Sequence, residues 1–284
     1  MARWRLDVAY DGTRFHGFAA QPGQRTVAGE LQLALDRLCR LGGEPRLVCA
    51  GRTDAGVHAL AQVVHVDLPD GVTVPRSDDL LEAATMQRHL NAKLPSDVVV
   101  TRAQMVEDAF DARHSATERS YRYLIDVGRA ADPLLVATTW HVDAPLNRAH
   151  MDEATALLIG EHDFRSFCRR TPGTTPEDPL MRRVHRAAWS DEHRVDHHLG
   201  AGPLLRFDIA ANAFCHRMVR SLVGQLVAIG LGHSSVAELR ILLTTPDRHR
   251  AADPAPGKGL CLIGVEYGHG EPQPGCTVDD EEGS

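Results

Sequence analysis

The sequence predicts an α+β fold: two similar halves that build a mixed, mainly antiparallel sheet with helices on one face. Three observations carry this. Short stretches of alternating apolar and polar residues, the mark of half-buried strands, recur along the chain. Segments with apolar residues at helical spacing are interleaved with them. Several strands also follow one another in hairpin-like pairs, which a purely parallel sheet does not contain. At 284 residues, 43 % hydrophobic and 24 % charged, the chain can bury a core of that size.

The elements follow in order. Trp4, Leu6, Val8 and Tyr10 alternate as a strand, and Asp11-Gly12 ends it. From Val27, residues Leu31, Leu35 and Leu38 fall at helical spacing, with Thr26 placed to cap the start and Gly42 near the end. Arg46–Ala50 reads as a strand, and Val64, Val66 and Leu68 as the next. Between them lies the polar, glycine-bracketed loop Gly51–His58. A helix is expected over Asp78–Ala92, capped by Ser77, then a strand over Asp97–Met105. In the second half, Tyr121, Tyr123 and Ile125 alternate. Arg148–Ile159 reads as a helix between an Asn147 cap and Gly160, and Val184–Trp189 and Leu204–Ala210 read as strands. Phe214–Ile229 is the clearest helix, with Phe214, Met218, Leu222, Leu226 and Ile229 along one face. Leu260–Tyr267 is a last strand. The halves divide near residue 110, giving subdomains 1–110 and 111–268, with no residue-level repeat between them.

Residues 269–284 are rich in Pro and Gly and hold Glu271, Asp279, Asp280, Glu281 and Glu282 without a Lys or Arg. They read as a disordered acidic tail. The tail carries five of the seven net negative charges, so the rest of the chain is nearly neutral. Its cations are almost all Arg, since Lys93 and Lys258 are the only lysines. A guanidinium fork suits bidentate phosphate recognition; a GC-rich genome gives the same bias. The N-terminus lacks the apolar core of a signal peptide. No apolar run approaches the ~18–20 residues of a membrane span. The six cysteines form no Cys-x-x-Cys pair, and most sit in apolar segments as small hydrophobes, which fits a reducing cytoplasm. The sixteen histidines are scattered without metal-ligand spacing, so no metal is expected.

Asp54 is the most informative acid. It lies between Gly51 and Gly56, with Arg52 and His58 nearby, and such a loop carboxylate can act as a nucleophile or a base. A turn aspartate also commonly just bonds its own backbone. Arg217 and Arg220 lie on the long helix about 60° apart, with Gly224 between them in angle. An arginine near the loop carboxylate would keep it ionised. Tyr121 and Tyr123 share one sheet face, where core packing is the ordinary outcome. Flanked by Arg119 and Arg122, they could instead offer a stacking ring beside phosphate-binding cations. The segment Arg165–Arg186 holds six arginines and a turn-rich stretch, either a plain surface loop or one that closes on an anion.

Taken together, these segments resemble the TruA family of tRNA pseudouridine synthases. The run Gly51–His58 is similar to that family's catalytic loop, and Tyr10-Asp11-Gly12-Thr13 with Phe15 and Gly17 to its opening motif. Asn91–Pro95, Ala112–Thr117, Tyr121-Arg122-Tyr123, Ala211–Phe214 with Met218-Val219-Arg220, and Gly259–Leu262 with Val265 follow in the family's order. Phe18 departs from the tryptophan common there, and Arg165–Arg186 matches loosely.

The resemblance implies a homodimer with a central RNA-binding cleft, which isomerises uridine to pseudouridine in the anticodon stem-loop of tRNA without metal or organic cofactor. It implies that Asp54 is the attacking carboxylate and Arg220 its basic partner. Tyr121 would stack on the uracil and assist at C5, Arg52 would help flip the nucleotide, and Leu262 would line the base pocket. Two other classes compete: an RNA-binding module without chemistry, and a phosphoesterase in which Asp54 and His58 form an acid/base pair.

Overall fold

The alternation in the first ten residues becomes strand β1 (Ala2–Tyr10), in which Trp4, Leu6, Val8 and Tyr10 are buried. A computed structural model describes residues 1–72, 82–169, 175, 178–192 and 203–268. Helix α1 (Val27–Cys39) starts where expected, because the Thr26 hydroxyl accepts from the Gly29 N–H. It ends on Arg40 in the left-handed region (φ 52°), two residues before Gly42. Strand β2 (Leu47–Cys49) is short, and β3 (His58–Leu68) begins at the last residue of the polar loop. Helix α2 is described over Ala83–Asn91; its expected start and the Ser77 cap lie outside the described residues. Strand β4 (Val98–Val106) closes the first half.

The second half opens with β5 (Ala116–Val127) and a short β6 (Trp140–Val142). Helix α3 (Arg148–Ala156) is capped by the Asn147 side chain, which accepts from the His150 N–H. It stops short of Ile159 and leads into β7 (Gly160–Asp163). Strands β8 (Met181–Glu192) and β9 (Leu204–Ala211) are longer than their apolar cores suggested. So part of the expected Arg-rich loop is strand. Residues 170–174 and 176–177 of that loop, and the tail 269–284, lie outside the described residues. Helix α4 (Met218–Gly230) is buried on nearly all sides. Then come α5 (Val236–Thr244) and β10 (Leu260–Tyr267). β6, β7 and α5 carry no signal that the sequence reading used.

The helix expected from Phe214 starts four residues later. Arg217 sits in the left-handed region (φ 66°) and breaks the helical path before Met218. Phe214 therefore belongs to a turn, where its ring meets the Tyr121 ring edge-on at 5.1 Å.

Among the described residues, one ten-stranded sheet runs in the order β4-β1-β3-β10-β5-β9-β8-β7, with β2 paired to β3 and β6 to β5. The β3–β10 and β5–β6 pairs are parallel, and the rest are antiparallel. The last strand thus enters between strands of the first and second halves. Its register sets Leu262 opposite Tyr121 of β5 on one side and Ala59 of β3 on the other. One continuous apolar core includes Leu6 and Val8 of β1, Leu31 and Leu35 of α1, Tyr123 and Ile125 of β5, and Leu222 and Leu226 of α4.

The cysteine reading needs correction. Cys168 and Cys215 form a disulfide with Cα atoms 5.8 Å apart. They stand 47 residues apart, so no short spacing announces the pair. Cys39, Cys49 and Cys261 are free thiols, each pushed up to about 11 by burial.

Candidate active site

The polar loop Gly51–His58 links β2 to β3, so both its ends are tied into the sheet. Its interior is held by neighbours on every side. The Ala50 N–H donates to Val63 O, and the Gln62 side chain donates to Gly51 O. The Tyr10 hydroxyl and the Thr53 hydroxyl share a buried hydrogen bond of 2.7 Å. Phe18 N–H donates to Thr53 O, and Gly56 N–H to Phe15 O. The opening motif therefore wraps the loop, and its glycines explain how. A Cβ on Gly12 would stand 2.0 Å from Val57 O. One on Gly17, which has φ +99°, would stand 2.9 Å from Thr53 O.

This cage presents Asp54 half-buried at the meeting point of the two halves. Arg220, from the first turn of α4, donates Nη1 to Asp54 Oδ2 at 2.7 Å. Its own Nε donates to Ala255 O at 2.7 Å. Gly224, one turn along α4, makes that contact possible, because a Cβ there would stand 2.0 Å from Asp253 O. The space beside Gly224 is filled by the 253–255 segment. Arg217 Nε lies 3.9 Å from Oδ2. His216 Nε2 lies 3.1 Å from Oδ1. The carboxylate therefore faces three basic side chains from one turn and the helix after it.

Tyr121 and Leu262 lie side by side across the β5–β10 pair, both buried. Burial raises the Tyr121 phenol above its ordinary range, so it is neutral at physiological pH. Its hydroxyl stands 3.7 Å from the position of a Cβ on Gly51, which places it beside the loop. Tyr123, on the same face, is occupied elsewhere: its hydroxyl donates to Pro256 O. Arg52 is exposed, and no carboxylate among the described residues lies within ion-pair reach of it.

Two expectations are corrected here. Arg119 and Arg122 are not free cations flanking a stacking ring. Arg119 is buried and donates to the carbonyls of Ala50, Arg113, Ala116 and Asn212, and burial lowers its pKa. It fastens two of the sequence motifs, Ala112–Thr117 and Ala211–Phe214, to the residue just before the polar loop. Arg122 points to the opposite face and pairs with Asp208 at 2.8 Å. His58 is not an acid/base partner for Asp54. Its Nδ1 accepts from Gly12 N–H, and its Nε2 faces Lys258 O at 3.0 Å. His216 was missed, since nothing in its spacing sets it apart from fifteen other histidines. Among the described residues, no group of three or more His, Cys, Asp or Glu side chains could hold a metal ion.

The sequence profile of a family described as tRNA pseudouridine synthase matches residues 8–115 and 154–268. The chain belongs to this tRNA pseudouridine synthase family. It is accordingly an isomerase acting on tRNA. Proteins named tRNA pseudouridine synthase A are similar to it over most of their length. The one from Bifidobacterium animalis subsp. lactis is 40 % identical over 287 residues, covering 94 % of each chain. The one from Frankia casuarinae is 41 % identical, over 94 % of this chain and 90 % of the relative. The one from Bacillus licheniformis is 36 % identical, over 93 % of this chain and 99 % of the relative. The two profile segments of the synthase family span both sides of the site: Asp54 falls in the first, and Tyr121's strand partner Leu262 and Arg220 in the second. No helix among the described residues is long and apolar enough to cross a membrane.

Proposed function

We propose that this synthase isomerises uridine in the anticodon stem-loop of tRNA, with Asp54 as the nucleophile. The observation that carries the reading is the 2.7 Å contact between Asp54 and an Arg220 that is itself fixed to Ala255 O, beside the Tyr121–Leu262 pair. A guanidinium at that distance makes a charge-assisted hydrogen bond that fixes the direction of the carboxylate, and an attacking carboxylate must be held in line with the atom it attacks.

A stacked uridine cannot turn in its helix, so it must leave the stack at a cost of a few kcal/mol. Exposed Arg52, at the entrance of the loop, is suited to fill the space it leaves. The flipped base would lie against Tyr121, with Leu262 as the apolar floor. Asp54 then forms a bond to the nucleotide, on either the sugar or the base. The N1–C1′ bond breaks, the uracil turns in place, and C5 bonds to C1′. The carboxylate is released, C5 loses its proton and N1 gains one. Atoms and electrons balance within the nucleotide and one returning carboxylate, so the scheme calls for no cofactor. In this reading Tyr121 would stack on the turned base and assist at C5.

The same reading includes a homodimer in the cytoplasm that holds one tRNA across both copies. It also takes the halves 1–110 and 111–268 as the two walls of the RNA cleft. The test uses unmodified tRNA and counts pseudouridine formed by the wild type and by Asp54→Asn. Asp54→Asn should retain tRNA binding and lose about a thousandfold or more in rate. A variant as fast as the wild type overturns the mechanism, and pseudouridine outside the anticodon stem-loop overturns the target.

A further inference from the structure

We propose that His216 is a positioning residue for the reaction, holding Asp54 so that Oδ1 is the oxygen delivered to the nucleotide. The inference rests on the reading of Asp54 as the nucleophile and goes beyond it. A carboxylate has two oxygens, and here their surroundings differ. Oδ2 accepts a charge-assisted hydrogen bond from Arg220 and has Arg217 at 3.9 Å. Arg220 cannot swing aside without giving up Ala255 O, and α4 cannot move off while Gly224 rests on Asp253 O. Oδ2 is therefore the anchored oxygen. Oδ1 lies 3.1 Å from the imidazole of His216, a side chain that is itself partly exposed.

The backbone of His216 is fixed while its ring stays at that edge. Its carbonyl accepts from Arg169 N–H at 2.9 Å. The preceding residue, Cys215, is joined to Cys168, and Cys215 O accepts from Met218 N–H. The following residue, Arg217, holds the left-handed conformation that turns the chain into α4. A left-handed non-glycine residue at a functional site persists only where its surroundings enforce it. That turn brings His216 and Arg217 to Asp54 together. With Arg220 hydrogen-bonded to Oδ2 and the His216 ring 3.1 Å from Oδ1, the two oxygens of Asp54 stand in different surroundings and a turn about its Cβ–Cγ bond would exchange them. One lone pair of Oδ1 is left to form the bond. The pair that it displaces passes into the uracil, and Oδ1 recovers its own pair on release, so His216 neither gains nor loses a proton.

The test compares His216→Gln, His216→Asn and His216→Ala in single-turnover reactions on pre-bound tRNA, with tRNA affinity and melting temperature measured for each. The Gln amide nitrogen can take the place of Nε2, whereas the Asn amide is too short. His216→Asn and His216→Ala should slow the bound reaction about 10- to 100-fold, with affinity within about threefold of wild type. His216→Gln should recover most of the rate. The inference is overturned if Ala reacts as fast as wild type, if Gln and Asn lose rate equally, or if the loss appears only in affinity. The Gln–Asn comparison stands even where Ala does not fold. Asp54→Asn, run alongside, separates the two levels. Full activity there overturns the reading of Asp54 itself, whereas an inactive Asp54→Asn with a fully active His216→Asn overturns only the role of His216.

Discussion

At the scale of the residue, the candidate site depends on buried side chains that hold its loop in place. Tyr10 is one. Its hydroxyl is the buried partner of Thr53, next to Asp54, and Gln62 reaches the same oxygen at 3.4 Å. Removing it in Tyr10→Phe leaves the Thr53 hydroxyl without that partner, which costs about 1 kcal/mol of stability. The pseudouridine rate should fall by more than tRNA affinity does, because the loop carrying Asp54 loosens while the RNA surface is unchanged. Equal losses in rate and affinity would place Tyr10 outside the loop's support. Each of Asp54, Tyr121 and Arg220 was picked out by the motif it stands in, and the structure brings Arg220 to within 2.7 Å of Asp54 and sets Tyr121 beside the same loop. Arg119 was misread: a strand arginine beside tyrosines looks like a phosphate ligand, and only the fold shows four carbonyl groups around it. His216 was illegible because its role comes from a turn in which Arg217 leaves the helical path.

At the scale of the element, α4 and the segment after α5 act as one support for Arg220. Ala255 N–H donates to Arg220 O while Arg220 Nε donates to Ala255 O, so backbone and side chain are clasped in both directions. Gly224→Ala puts a methyl group 2.0 Å from Asp253 O and must push the two elements apart. The expected cost is about 1–3 kcal/mol, with a larger relative loss of activity, read by calorimetry and by pseudouridine yield. Gly43→Ala is the control, since nothing lies within 4 Å of a Cβ there. The same logic applies to the Cys168–Cys215 link. Replacing both by Ser removes a cross-link over 47 residues, with a chain-entropy ceiling of about 4 kcal/mol. Melting with and without reductant should differ for the wild type and coincide for the double variant. Most elements were readable from periodicity, because strands and helices bury one face each. The start of α4 was not. Phe214 fits the helical stripe, yet the stripe records only burial, and Phe214 is partly buried against Tyr121 from outside the helix.

At the scale of the molecule, the order of the strands was the least legible feature. The final strand pairs with β3 and β5, partners about 200 and 140 residues earlier, and local patterning carries nothing of that. The arginine bias also reads differently in the whole fold, since Arg3, Arg25, Arg122, Arg148, Arg183 and Arg206 are paired with acids of the chain itself. The tyrosines give a global test. The chain has four, and burial raises the pKa of all of them: Tyr10, Tyr121, Tyr123 and Tyr267. In the unfolded chain each would ionise at its ordinary value near 10. Below that pH both states keep their phenolic protons, and the contribution to stability is complete. Above it the unfolded chain sheds protons that the folded chain holds, so stability falls as pH rises towards the folded values. The tyrosines lie in β1, β5 and β10, which are spread across the centre of the sheet, so no single local opening can expose all four. Phenolate absorbance should therefore stay flat through pH 10 and rise together with the loss of far-UV circular dichroism. A gradual rise centred near 10, with the dichroism intact, would show that at least one of these rings is open to solvent in the native state.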